Sequence, residues 1–195
     1  MLAAVILAAG ESRRMGQPKA LLPYLGGTFL THLLSCTRHP KIGVTRVVVG
    51  AHAEDISRGA GISAEEIIFN KEWARGQLSS IQVAVRALEG LETDGMLLCP
   101  VDHPLVTGEL VGELIGKFYS SGKMIVVPKY AGRRGHPMIF SSALYAELLA
   151  APEDLGARAV VWAHAADVVE VATEEEGVVL NLNDPETLAR ALGKR

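Results

Sequence analysis

The sequence predicts an α/β fold, a mostly parallel sheet with helices on both faces. Three observations predict it. Short apolar runs of strand length alternate with helical periodicity from end to end. No internal repeat, low-complexity tract or linker interrupts the 195 residues, so 1–195 reads as one domain at a prior of roughly 150 residues each. Hydrophobic residues make up 49%, enough for a full core and far from the composition of a disordered chain.

The elements follow in order. Residues 3–7 are an apolar run leading to Gly10, a buried strand entering a loop. Residues 28–37 form a helix with Phe29, Leu30, Leu33 and Leu34 on one face. A strand over 45–50, a short helix over 53–59 and a strand over 66–70 come next. Residues 77–88 form a helix with Ile81, Val85 and Leu88 in register. A strand over 96–99 is stopped by Pro100. A helix over 108–120, a strand over 124–128 and a short strand over 138–140 follow. Helices are expected over 142–149 and 157–164, and late strands over 168–171 and 178–182. Residues 185–192 close with a helix that has Pro185 in its first turn, as helix starts prefer. Gly26-Gly27 and 131–135 read as loops. In such sheets ligands bind beyond the carboxyl ends of the strands, so the loops there should carry the chemistry.

Composition excludes several classes. The net charge of -3 argues against a broad nucleic-acid surface, and 5% aromatics against single-strand stacking platforms. Cys36 and Cys99 are too few for a disulfide scaffold and suit a reducing cytoplasm. The apolar stretch 1–10 has no preceding Lys or Arg, the wrong charge order for secretion, and is too short for a membrane span. The six histidines are scattered and the two cysteines far apart, so no zinc set is expected. Charge is uneven. Arg13, Arg14 and Lys19 stand against Glu11 within 1–24, whereas 167–186 holds seven acids and no Lys or Arg.

The loop after the first strand runs Leu7-Ala8-Ala9-Gly10-Glu11-Ser12-Arg13-Arg14-Met15-Gly16-Gln17-Pro18-Lys19. Its small residues let backbone N–H groups approach a ligand, and its three cations suit a polyphosphate. It matches neither the P-loop nor the dinucleotide-fold spacing, which disfavours a dinucleotide-binding oxidoreductase. A solvated Gly/Arg-rich loop is the plain alternative. Leu-Ala-Ala-Gly-x-Ser-x-Arg-Met-Gly-x-x-Lys resembles the signature of the MobA-like nucleotidyltransferases, which include the molybdenum cofactor cytidylyltransferases and guanylyltransferases. The resemblance implies a three-layer α/β/α sandwich of the nucleotide-diphospho-sugar transferase (GT-A-like) type. It also implies that Leu7, Ala8, Ala9, Gly10, Ser12 and Arg13 with Arg14 and Lys19 hold a nucleoside triphosphate. Ala-Ala-Gly is similar to the cytidylyl members, where guanylyl members usually have Ala-Gly-Gly, so Ala9 points to CTP.

Asp102, in Pro100-Val101-Asp102-His103-Pro104, follows a strand, where a carboxylate can hold Mg²⁺ or serve only as a turn residue. The family pattern Pro-x-Asp-x-Pro implies the Mg²⁺ ligand and, with Arg14 and Lys19, a catalytic role. His103 departs from the Gln or Met common there. Asn181 and Asn183 precede a helix. They could contact a second metal or phosphate, or could cap the helix. Asn70 to Ser80 resembles the family's Asn-x-x-Trp-x-x-Gly-x-x-x-Ser stretch, which implies nucleotide contact at Ser80; Trp73 alone would read as core. The segment Gly132-Arg133-Arg134-Gly135-His136-Pro137 resembles the cytidylyl Gly-x-x-Gly-His-Pro. This implies that Arg133, Arg134 and His136 receive the acceptor, although solvated arginines and a structural histidine are the plainer readings.

Taken together, the resemblance implies Mg²⁺-dependent transfer of a nucleoside monophosphate from CTP to a phosphate-bearing acceptor, molybdopterin, with release of pyrophosphate. A molybdoenzyme would receive the product, and neither nucleic acid nor membrane would be a partner. Alternatives are a guanylyltransferase on the same acceptor, a sugar- or polyol-phosphate nucleotidyltransferase, and a non-catalytic cofactor-binding or insertion factor.

Overall fold

A computed structural model describes residues 1–193. The strands are β1 (Leu2–Ala8), β2 (Pro23–Tyr24), β3 (Gly27–Thr28), β4 (Ile42–Val49), β5 (Ile67–Phe69), β6 (Gly95–Pro100), β7 (Ile125–Tyr130), β8 (Arg133–Arg134), β9 (Met138–Ser141) and β10 (Val168–Ala172). The helices are α1 (Phe29–Cys36), α2 (Ala53–Gly59), α3 (Gln77–Leu88), α4 (Gly108–Ser121), α5 (Tyr145–Ala150), α6 (Arg158–Ala163) and α7 (Pro185–Leu192).

The main sheet runs β10-β7-β9-β6-β1-β4-β5, with β8 paired to β7. Strands β6, β1, β4 and β5 are mutually parallel, and β10 is parallel to β7. Strand β9 is antiparallel to both β6 and β7, so it joins two parallel blocks. All seven residues of β1 are buried, as a central strand covered on both faces requires. Its side chains alternate between two cores. Leu2 and Ile6 pack with Phe29, Leu30 and Leu33 of α1 and with Leu110 and Leu114 of α4. Ala3, Val5 and Leu7 pack with Ile81 and Val85 of α3, Leu148 of α5 and Val160 of α6. The expected three layers result.

Local chemistry fixes the element ends. Thr28 caps α1 through the Thr31 N–H, and the Thr31 hydroxyl accepts from the Thr28 N–H in return. Thr107 caps α4 and Asp184 caps α7. The segment 142–149 is divided into a 3-10 turn (Ser142–Leu144) and α5.

Three expectations are corrected. The segment 178–182 is not a strand. Successive N–H groups of Val178, Val179 and Leu180 turn back on Glu175, Glu176 and Gly177. Its remaining bonds reach two separate loops, with Val178 O accepting from His136 N (2.8 Å) and Leu182 N donating to Asp102 O (2.8 Å). A Cβ on Gly177 would lie 2.7 Å from Leu105, so the turn that opens the segment packs directly on the loop before α4. The other two corrections are small hairpins at the places read as loops. Strands β2 and β3 turn through Leu25 (φ 47°) and Gly26 (φ 76°), and β7 and β8 through Ala131 (φ 45°) and Gly132 (φ 80°). Positive φ at both central residues is the usual two-residue hairpin geometry, but Leu and Ala are unusual at its first position.

The topology fixes where a ligand can sit. From β1 the chain goes out to β4 and β5, then returns to β6 on the other side of β1. The crevice beyond the carboxyl ends of β1 and β6 is the topological switch point.

Candidate active site

A cleft of about 330 Å³ opens at that switch point. Its walls carry Leu7, Ala8, Ala9, Gly10, Ser12 and Lys19 from the β1 loop, Asp102 and His103 from the β6 loop, Ser80 from α3, and His136 and Asn181. Ten residues singled out from sequence, all of these except His103, therefore meet in one space.

The β1 loop is held open by its own bonds. Ser12 takes a left-handed conformation (φ 55°), and its hydroxyl accepts from the Lys19 N–H at 3.1 Å, closing the loop across seven residues. The His52 ring Nε2 bonds the Glu11 carbonyl at 2.8 Å, and the Ala51 N–H donates to Ala9 O at 3.1 Å. A Cβ on Gly50 would come within 2.6 Å of that Ala9 oxygen and 2.7 Å of Trp73, so β4 and β1 meet here only through glycine. A Cβ on Gly10 would meet no atom within 4 Å, so packing does not demand that glycine. The space it leaves opens into the cleft.

Lys19 crosses the cleft. Its Nζ donates to Asn183 Oδ1 at 2.6 Å and lies 3.4 Å from Asp102 Oδ2. The two charged side chains are 14% and 22% exposed, so their attraction is less screened than that of a surface pair. The bond from Leu182 N to Asp102 O sets Asn181 and Asn183 beside the carboxylate. Asp184 caps α7, while Asn183 bonds Lys19.

The opposite wall is the start of α3. Asn70 is buried, and its Nδ2 donates to Ser79 Oγ (2.9 Å) and Ser80 Oγ (3.0 Å), fixing both hydroxyls. The helix begins at Gly76 (φ 102°) without a side-chain cap, and Gly76, Gln77 and Ser80 line the cleft. Free first-turn N–H groups and the positive helix end favour an anion or carbonyl there. Trp73 is half-buried, packing on the core while also lining the cleft.

His103 and His136 stack obliquely, with ring centroids 4.9 Å apart, and the Nδ1 atoms of both are buried without a hydrogen-bond partner among the described residues. Burial pushes His136 down to about 4, helped by the neighbouring His103 and opposed by Asp102. Burial also lowers His103, opposed by Asp102 and the Gly177 backbone. Both rings are neutral near pH 7.

Four arginines lie elsewhere. Arg13 is exposed and bonds Glu11 at 2.6 Å. Arg14 is exposed beside the tail segment, where it contributes to holding the Asp184 carboxyl below its ordinary range, mainly an effect of the Thr187 backbone N–H. Arg133 is exposed on β8. Arg134 bonds Glu170 at 2.8 Å and lines a second cavity of about 530 Å³. That cavity shares Gly76, Gln77 and His136 with the cleft, has Leu98, Met138 and Phe140 in its wall, and carries the exposed Trp162. Sequence reasoning missed Gly50, His52, Gln77 and this cavity. Only Gly50, following an apolar strand, left any signal. Among the described residues no group of three His, Cys, Asp or Glu could hold a metal, and no helix is long and apolar enough to cross a membrane.

Residues 4–168 match the model of the MobA-like NTP transferase domain. A molybdenum cofactor guanylyltransferase of Cereibacter sphaeroides is 30% identical over 189 residues, 96% of this chain and 93% of that one. The molybdenum cofactor cytidylyltransferase of Escherichia coli is 28% identical over 193 residues, with the same coverage. Nicotine blue oxidoreductase of Paenarthrobacter nicotinovorans is 30% identical over 146 residues, 72% of this chain and 71% of that one. Among solved structures, Mycobacterium tuberculosis Rv0371c in complex with manganese superposes with a TM-score of 0.76 at 24% identity, covering 100% of this chain and 99% of the other.

Proposed function

The chain belongs to the MobA-like NTP transferase family, a nucleotidyltransferase of the molybdenum cofactor guanylyl/cytidylyl type, and from that premise we propose that it transfers CMP from CTP to the terminal phosphate of molybdopterin. The observation that carries this reading is the meeting of Lys19, Asp102 and the open β1 loop at the β1/β6 switch point. The acceptor phosphate is already nucleophilic, so the reaction needs no strong general base. What it needs is alignment and neutralisation of charge on the leaving pyrophosphate. Lys19 supplies a cation on the cleft wall. The backbone of Ala8, Ala9 and Gly10 supplies close donors, and the uncapped α3 start and the Ser80 hydroxyl supply more. Ala9 narrows the floor where guanylyl relatives usually have glycine, which favours the smaller pyrimidine.

The donor set fits a hard cation. Asp102 offers one carboxylate and Asn181 and Asn183 offer carbonyls, the sparse oxygen set that leaves Mg²⁺ to complete its shell with phosphate and water. Bound there, Mg²⁺ would neutralise phosphate charge. Rv0371c, whose structure is described as a manganese complex, shares the fold.

The cavity beyond His136 is the place for the acceptor body, with His136 between the two spaces. The guanylyl alternative stays in play because a guanylyltransferase is as similar to this chain as a cytidylyltransferase is. Pyrophosphate release, measured with molybdopterin and each of CTP, GTP, ATP and UTP, decides. The expected result is turnover with CTP at least about tenfold above GTP in kcat/KM. A preference for GTP reverses the nucleotide assignment. No pyrophosphate from any nucleotide overturns the transferase reading and favours a cofactor-binding factor or a redox protein.

A further inference from the structure

We propose that Lys19 is a built-in cation standing in the metal position, so that lysine and divalent ion exclude one another until the triphosphate draws the lysine away. This rests on the reading of the cleft as a nucleotide site with Asp102 as a metal ligand. The same two oxygens serve both cations: Asn183 Oδ1 is 2.6 Å from Nζ and Asp102 Oδ2 is 3.4 Å from it. A Mg²⁺ ion on these oxygens, at about 2.0–2.1 Å, would stand close beside the ammonium, and two positive charges that near repel each other. The side chains are largely shielded from water, so repulsion between an ion and the ammonium is weakly screened.

The lysine is held at both ends of its side chain. Its backbone N–H is fixed by Ser12 Oγ, and its tip by Asn183 and Asp102. A triphosphate in the loop offers the ammonium anionic oxygens, which make stronger charge-assisted bonds than the neutral Asn183 carbonyl. When the tip swings to the phosphates, both oxygens become free for the ion. Binding is then coupled and reciprocal, and the nucleotide enters before or together with the metal. Lys19 thereby prevents futile occupation of the site by free metal.

The test is Mn²⁺ binding to the full chain without nucleotide or acceptor, by electron paramagnetic resonance of free Mn²⁺ and by calorimetry. Lys19→Met is expected to bind Mn²⁺ about tenfold tighter than the unaltered protein, within the usual range of coupling between sites. Lys19→Gln serves as a second neutral variant if the first folds poorly. Lys19→Arg keeps the charge and should bind Mn²⁺ as weakly as the unaltered protein. Adding Asp102→Asn to Lys19→Met should abolish the gain. The proposal is overturned if neutral variants bind no tighter, if Lys19→Arg tightens equally, or if the gain survives Asp102→Asn. Pyrophosphate release by the unaltered protein separates the two levels. Turnover without any gain in Lys19→Met sinks this inference alone. An Asp102→Asn protein that turns over and binds Mn²⁺ normally removes Asp102 from the metal role.

Discussion

The two cavities that meet at His136 are built from opposite materials. The cleft is walled by backbone, small side chains and one crossed pair of charges, Lys19 and Asp102. The cavity beyond it is floored by Leu98, Met138 and Phe140 and edged by Trp162, which is 59% exposed. Several segments build the first, but one of them, the β1 loop, supplies its longest wall as a consecutive run. Distant segments build the second, and no short stretch of sequence announces it. The difference teaches that charge placement defines one site and shape the other, and four experiments probe that division.

The largest effect is expected at the charge pair. Asp102→Ala or Lys19→Ala should lower turnover by at least about 100-fold while keeping the fold, as for other removals of a group stabilising developing charge. Near-normal single-turnover rates would remove either residue from the chemistry. In the second cavity the matching blow falls on stability. Phe140 is 1% exposed, and Phe140→Ala should cost about 3–5 kcal/mol, a fall in Tm of roughly 10 °C in thermal denaturation. A loss below 1 kcal/mol would show a floor that collapses freely.

The boundary between the cavities should respond to pH. His136 is held down to about 4 by burial, below the 6.5 of an exposed imidazole. Between these values the unfolded chain binds a proton that the native chain refuses. Stability is therefore full above about 6.5 and falls on acidification toward 4, by at most about 3 kcal/mol from this group. Urea titrations at pH 7 and pH 4.5 should show the loss, and His136→Asn should flatten it. The smallest effect separates function from fold. Trp162→Ala should change stability by less than about 1 kcal/mol yet raise the acceptor KM about 2- to 10-fold, the worth of one aromatic contact. A parallel rise in the nucleotide KM would show one site, not two.

The legibility of the chain follows the same division. The spans of α2 and α3 are as periodicity predicts, because their apolar stripes and ends are local. Most of the β1 loop lines the cleft as expected, because its small residues are consecutive, but Arg13 and Arg14 stand exposed outside it. The segment 178–182 differs because three consecutive apolar residues look like a strand, whereas its backbone turns back on 175–177 and then bonds two separate loops. The hairpins at Leu25-Gly26 and Ala131-Gly132 lacked the Asn-Gly signature that marks such turns. Arg133 and Arg134 share a motif with His136, yet only His136 lines the cleft, whereas Arg134 lines the second cavity and Arg133 is exposed on β8. Nothing in a linear motif encodes which of three neighbours points inward.

The bond from Lys19 to Asn183 spans 164 positions of chain. Ribosomes add about 5–20 residues per second, so the two partners are synthesised roughly 10–30 s apart. Throughout that interval the β1 loop exists without the carbonyl that bonds its lysine. The segment that carries Asn183 also bonds Asp102 and the His136 loop, so one ribbon ties three parts of the site together. Displacing that ribbon would therefore loosen the lysine, the carboxylate and the His136 loop at once.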